Sequence, residues 1–125
     1  MNIVTIRNCP ESIAPDLAVA KEFMSPRVSG LANLSIAEIT IPPGVTIKKH
    51  YHRESEEVYQ VVSGSGVMFL DGESKALHSG QSVAIKVGQW HRIANPSDRP
   101  LVMIVTCSPP WRAEDQVFEE GPEET

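Results

Sequence analysis

Three of the four histidines of this 125-residue chain stand where they can act together. His50 and His52 are two apart in a segment that reads as extended, and side chains at i and i+2 of a strand point to one face. Both imidazoles therefore project into one space, with Tyr51 turned the other way. Glu57 opens the next strand-like run, and His91 lies on a later one, just past Gly88. Imidazole and carboxylate suit Mn, Fe, Co, Ni, Zn or Cu. Four such donors leave a six-coordinate ion with about two positions for water or substrate, which is the arrangement of a working site. Spacing by itself leaves a blander reading open. A histidine in a strand is more often a surface or satisfied core residue, and Glu57 belongs to an acidic run with Glu54 and Glu56 that also reads as a solvated turn.

The elements that must position these residues are short strands. Leu34 to Ile41 alternates and is rich in isoleucine. Pro42-Pro43-Gly44 ends it, and Val45 to His52 resumes in extended form. Further strand-like runs cover Glu57 to Val62, Val67 to Leu70, Ser74 to Leu77, Val83 to Val87, Trp90 to Ala94 and Leu101 to Thr106. Turns such as Asp71-Gly72 and Asn95-Pro96-Ser97-Asp98 separate them. Turn signals every ~8–12 residues, with no helical period past residue 30, indicate an all-β sandwich or barrel. Upstream, Asn2 to Ile6 alternates as a first strand, and Asp16 to Met24 has the composition of one or two helical turns. No solenoid-type repeat is present.

Two segments carry a family resemblance. Gly44-x5-His50-x-His52-x4-Glu57-x6-Gly64 is similar to the first cupin motif, and Gly80-x5-Lys86-x-Gly88-x2-His91-x3-Asn95 to the second. Lys86 departs from the pattern, since the family usually has proline there; the lysine leaves a backbone N–H free. The resemblance covers roughly Leu34 to Thr106. It implies a double-stranded β-helix, the jelly-roll or cupin barrel, in which His50, His52, Glu57 and His91 meet around one divalent transition metal ion. Glycines 44, 64, 80 and 88 fall where strands must turn sharply. Asn95 is expected to close its turn through its side-chain amide.

Parity extends the site. Tyr59 and Val61 share a face with Glu57, and Gln89 and Ile93 share one with His91. Glu57, as the sole carboxylate of the set, is the candidate base, and Tyr59 the candidate donor to a substrate oxygen, with packing an equal reading for Tyr59. Trp90 and Arg92 should face away from the site. His78, outside both motifs, reads as a surface residue, as do Arg53 and Arg92. The ending Cys107-Ser-Pro-Pro-Trp111 resembles the close of some mannose-6-phosphate-isomerase-like cupins, with Trp111 capping the core.

One cupin domain is expected over residues 1–110, followed by an acidic tail, 111–125, disordered or loosely docked. From Met1 to Pro110 ten acids balance ten bases; the tail holds six acids against Arg112, so the whole net charge of −5 lies there. No basic stripe points to nucleic acid or an anionic membrane. Nothing in the chain is apolar for long enough to span a bilayer, and no signal-peptide pattern opens it. Cys9 and Cys107 match no metal or redox spacing and read as free thiols. A cytoplasmic homodimer acting on a small molecule is the resulting expectation: a metal-dependent isomerase, lyase or dioxygenase, or alternatively a binding or sensing barrel without turnover. A vestigial, empty site is a third reading.

Overall fold

The computed structural model describes residues 1–119. After a 3-10 turn at Ile6–Asn8 come β1 (Ser12–Ile13), β2 (Val19–Met24), the single-turn helix α1 (Pro26–Ser29) and β3 (Ser35–Ile41). β4 (His50–His52), β5 (Glu56–Ser63), β6 (Ser65–Leu70), β7 (Glu73–His78), β8 (Ser82–Ile85), β9 (His91–Ala94) and β10 (Leu101–Ser108) follow. A second 3-10 turn, Ala113–Asp115, leads into β11 (Gln116–Phe118). The strands form a six-stranded sheet ordered β1-β2-β3-β10-β5-β8 and a five-stranded sheet ordered β11-β4-β9-β6-β7, with every pairing antiparallel.

Alternation of side chains explains how the sheets close on each other. Along β5, Glu57, Tyr59 and Val61 are buried while Glu56, Val58 and Gln60 are exposed. Along β10, Leu101, Met103, Val105 and Cys107 turn inward. Ile93 and Met68 meet them from the opposite sheet. The corners need glycine. Gly64 has φ +82°, and a Cβ there would run into the Pro100 carbonyl oxygen, so the β5–β6 turn admits no side chain. Asn95 closes its turn as expected. Its Nδ2 donates to the carbonyls of Ile41 and Arg99, while its Oδ1 accepts from the Ser97 amide and hydroxyl.

Three upstream and downstream expectations change. Asn2 to Ile6 forms no strand: Met1 and Ile3 are fully or largely exposed, so the alternation there has no face to bury, and β1 and β2 make that end of the sheet. Residues 19–24 are a strand rather than helical turns, because β3 offers an open edge and β2 pairs along it from Val19↔Thr40 to Met24↔Ile36. Among the described residues helix is confined to the 3-10 turns and α1, which is capped by the Ser25 hydroxyl and closed by Gly30 at φ +74°. The tail is not loose where it is described: β11 pairs with β4 through Gln116↔His52, Val117↔Tyr51 and Phe118↔His50. Residues 120–125, with Gly121 and Pro122, lie outside the described residues.

Candidate metal centre

β4 places His50 and His52 on its inner face, both almost fully buried, with Tyr51 outward against Trp90 at a ring separation of 4.7 Å. β9 is the neighbour of β4 through the single register pair His50↔His91, which brings the third imidazole alongside. The rings of His50 and His91 are 4.4 Å apart and those of His50 and His52 5.3 Å. Glu57 arrives from the opposite sheet. One donor atom from each of the four residues lies within 4.8 Å of all the others.

Hydrogen bonding fixes which nitrogens face inward. His50 Nδ1 lies 2.8 Å from the Lys48 carbonyl and His91 Nδ1 2.9 Å from the Gln89 carbonyl. A carbonyl only accepts, so both Nδ1 atoms carry the proton and both neutral rings present a bare Nε2. His91 Nε2 then stands 3.1 Å from Glu57 Oε1, a lone pair facing a carboxylate, unless a cation lies between them. His52 gives the same signal. Neither of its ring nitrogens has a hydrogen-bond partner, although Nε2 is 3.3 Å from Glu57 Oε1 and Nδ1 is 3.5 Å from Asp115 Oδ2. Buried polar atoms are rarely left unpaired. The residues present therefore fit a divalent ion.

The protonation pattern suits that role. Burial, reinforced by the neighbouring His91 ring, pushes His50 down to about 4, so it is neutral and available as a donor near neutral pH. Burial works to raise Glu57, but the His52 and His91 rings set against it outweigh that and hold the carboxyl well below its ordinary range. Burial and the nearby Glu57 charge push the Tyr59 phenol up, which keeps it a proton donor.

Three neighbours escape a motif reading. Cys107 lies opposite Glu57 in the β10–β5 register, and its thiol donates to Glu57 Oε2 at 3.2 Å, leaving Oε1 for the inward side. Asp115 sits behind His52, held by the amides of Glu54 and Ser55 at 2.8 and 3.1 Å. These amide bonds overcome the effect of burial and keep its carboxyl below the usual range. Asp16, in the β1–β2 turn, brings Oδ2 to 3.9 Å from His50 Nε2. Burial holds its carboxyl above the ordinary range. Only parity along β10 hinted at Cys107 in the sequence, and nothing local pointed to Asp16 or Asp115.

The site opens on a cavity of about 400 Å³ that reaches Glu57, Tyr59 and Cys107 and runs along the inner wall of β2, β3 and β10. Ala18, Ala20 and Ala37 leave this space where larger side chains would fill the barrel. Val61 and Ile93 are buried on the inner face, though the cavity expected to reach Val61 does not, and Gln89 is not a cavity residue either. It precedes β9, where the strand's alternation does not yet apply. Its Nε2 donates to Asp71 and its Oε1 accepts the Lys86 amide at 2.8 Å. The N–H that lysine leaves free is thus satisfied locally. Trp90 and Arg92 face outward, Arg92 over the Phe69 ring, and His78 is exposed. Trp111 packs on the core and also lines the cavity.

The model of the cupin domain matches residues 37–107. The chain belongs to the cupin family. Cupin relatives span a wide range. The uncharacterized protein MJ1618 of Methanocaldococcus jannaschii is 31% identical over 103 residues, covering 82% of each chain. A predicted oxalate decarboxylase from Thermotoga maritima superposes with a TM-score of 0.77 at 18% identity, covering 86% of this chain and 98% of that one. A sugar phosphate isomerase of the cupin superfamily from Silicibacter pomeroyi gives 0.73 at 20% identity, covering 86% and 75%. At these identities the structural likeness concerns the fold. Asp16 and Asp115, which approach His50 and His52, both lie outside the matched span.

Proposed function

We propose that this cupin is a metal-dependent enzyme acting on a small oxygenated metabolite, with His50, His52, Glu57 and His91 holding one divalent transition metal ion. The observation that carries the reading is the set of bare ring nitrogens turned on a buried carboxylate, beside a cavity large enough for a metabolite. An ion held there supplies Lewis acidity toward carbonyl, enol or carboxylate oxygens, or oxygenase chemistry if it is iron, manganese or copper. Isomerase, lyase or dioxygenase reactions fall within that range. Glu57 serves as the base, and the Tyr59 hydroxyl, kept protonated, donates to a substrate oxygen. We place the protein in the cytoplasm as a homodimer. Val58 and Val62, exposed on the outer face of β5, support pairing between copies, and light scattering checks it. Among the described residues no helix is long and apolar enough to cross a membrane.

Elemental analysis of protein purified without chelator tests the central claim. One equivalent of metal is expected in the wild type and none in the His50→Ala/His52→Ala chain. A wild type that stays metal-free after reconstitution overturns it and leaves a ligand-binding barrel. Oxygen consumption or isomerase and lyase screens then follow from the identity of the metal, and a Glu57→Gln chain with full metal and full turnover removes the base from Glu57.

A further inference from the structure

The cavity walls carry charge of one sign. Glu11, Asp16, Glu22 and Glu57 line the space, and Arg27 is the one cation among its described lining residues. Arg27 does not serve the interior: its side chain is 72% exposed, and its guanidinium donates to Glu22 Oε1 at 2.9 Å. Deeper in, the wall is alanine, isoleucine, methionine and valine. A phosphate or second carboxylate placed along that deeper wall, away from the metal position, would be desolvated without a counter-charge, which is strongly unfavourable.

The polar groups that do face the cavity want something specific. Asp16 is buried, with Oδ1 taken by the Ala18 amide at 3.1 Å, while Oδ2 has no donor among the described residues. The Lys48 amide, bonded to the Asp16 carbonyl at 2.9 Å, pins that turn over the site. Gln116, 92% buried, lines the same space, and its Oε1 has no partner. The open Asp16 oxygen, 3.9 Å from His50 Nε2, calls for a ligand that donates a hydrogen bond.

We propose that the substrate is an uncharged molecule with an apolar body and a hydroxyl or amide N–H that it donates to Asp16, and that phosphorylated and polycarboxylate compounds are excluded. This rests on the metal-centre reading above and narrows it. The molecule sets an oxygen at the metal, its donor at Asp16 Oδ2 and its body along Ile39, Met103 and Val105. Substrate class in this barrel is therefore set by the β1–β2 turn and the return segment rather than by the motif residues.

The test uses full-length protein, loaded with manganese and checked for metal content, and three probes: salicylamide, its isosteric anion salicylate, and fructose 6-phosphate. Calorimetric titration is expected to show salicylamide binding about tenfold or more tighter than either anion. The Asp16→Asn chain keeps the Oδ1 acceptor for Ala18 but cannot accept at Oδ2. It should retain its metal and lose about tenfold in salicylamide affinity, as expected for the loss of a buried hydrogen bond. Tighter binding of salicylate or fructose 6-phosphate overturns the proposal, as does an Asp16→Asn chain that binds salicylamide like wild type. A wild type that takes up no metal sinks the metal-centre reading instead, and the same probes on that metal-free protein still decide the charge preference.

Discussion

Cys107 shows how much a single side chain is governed by its surroundings. Its sulfur lies 3.2 Å from Glu57 Oε2, and burial together with the Glu57 charge pushes the thiol well above its usual range. A thiol kept protonated is a poor nucleophile. Ellman's reagent should therefore titrate one fast thiol, Cys9, in the native protein and two after denaturation; a fast second thiol in the native state would contradict the buried bond to Glu57. Substitution of Cys107 by serine should leave a hydroxyl able to make the same bond, whereas valine should weaken metal binding by freeing Oε2. Asn95 is the second residue whose role is fully specified by its partners. Asn95→Ala removes a buried donor to the Ile41 carbonyl and leaves that oxygen unpaired, a loss of about 3 kcal/mol in unfolding free energy by urea titration.

At the level of elements, the decisive feature is the return of the chain after β10. The turn Ala113–Asp115 and β11 were expected as a loose acidic tail, yet they supply Asp115 to His52 and a partner strand to β4. A carboxylate behind a metal-binding imidazole orients the ring, and losing it typically weakens metal affinity by ~10–100-fold. Asp115→Asn should lower affinity within that range, measured by competition with a chelator, with far-ultraviolet circular dichroism unchanged. A chain ending at Pro110 should lose more, because β4 then has an open edge. The strands carrying the motifs were legible because alternation in β5 and β10 and glycine at the corners are local signals. β2 was not: six residues of middling propensity take the shape that the β3 edge imposes, and no local pattern records that edge. The partnerships of Asp16 with His50 and of Asp115 with His52 join residues dozens of positions apart, so their acidity was visible in the sequence and their address was not.

For the whole molecule, the two sheets bring the four donors together and are packed by apolar side chains elsewhere. A ligand that binds the folded state alone raises its stability in proportion to its occupancy. Loading with metal should therefore raise the thermal midpoint, and a chelator should reverse the gain, while the His50→Ala/His52→Ala chain should show neither change by scanning calorimetry. The single register pair between β4 and β9 has a further consequence. Gly44 to Ile47 continue the pairing along β9 upstream, so at the site itself the seam is held by that one pair. An ion spanning His50 and His91 would rivet it, and Asp115 would carry the tightening to the amides of Arg53, Glu54 and Ser55, which it holds through its carbonyl and carboxylate. Those three amide protons, far more than the ones deep in β10, would then trade with deuterated solvent at a pace set by the metal, making the loop after β4 a clock for occupancy of the centre.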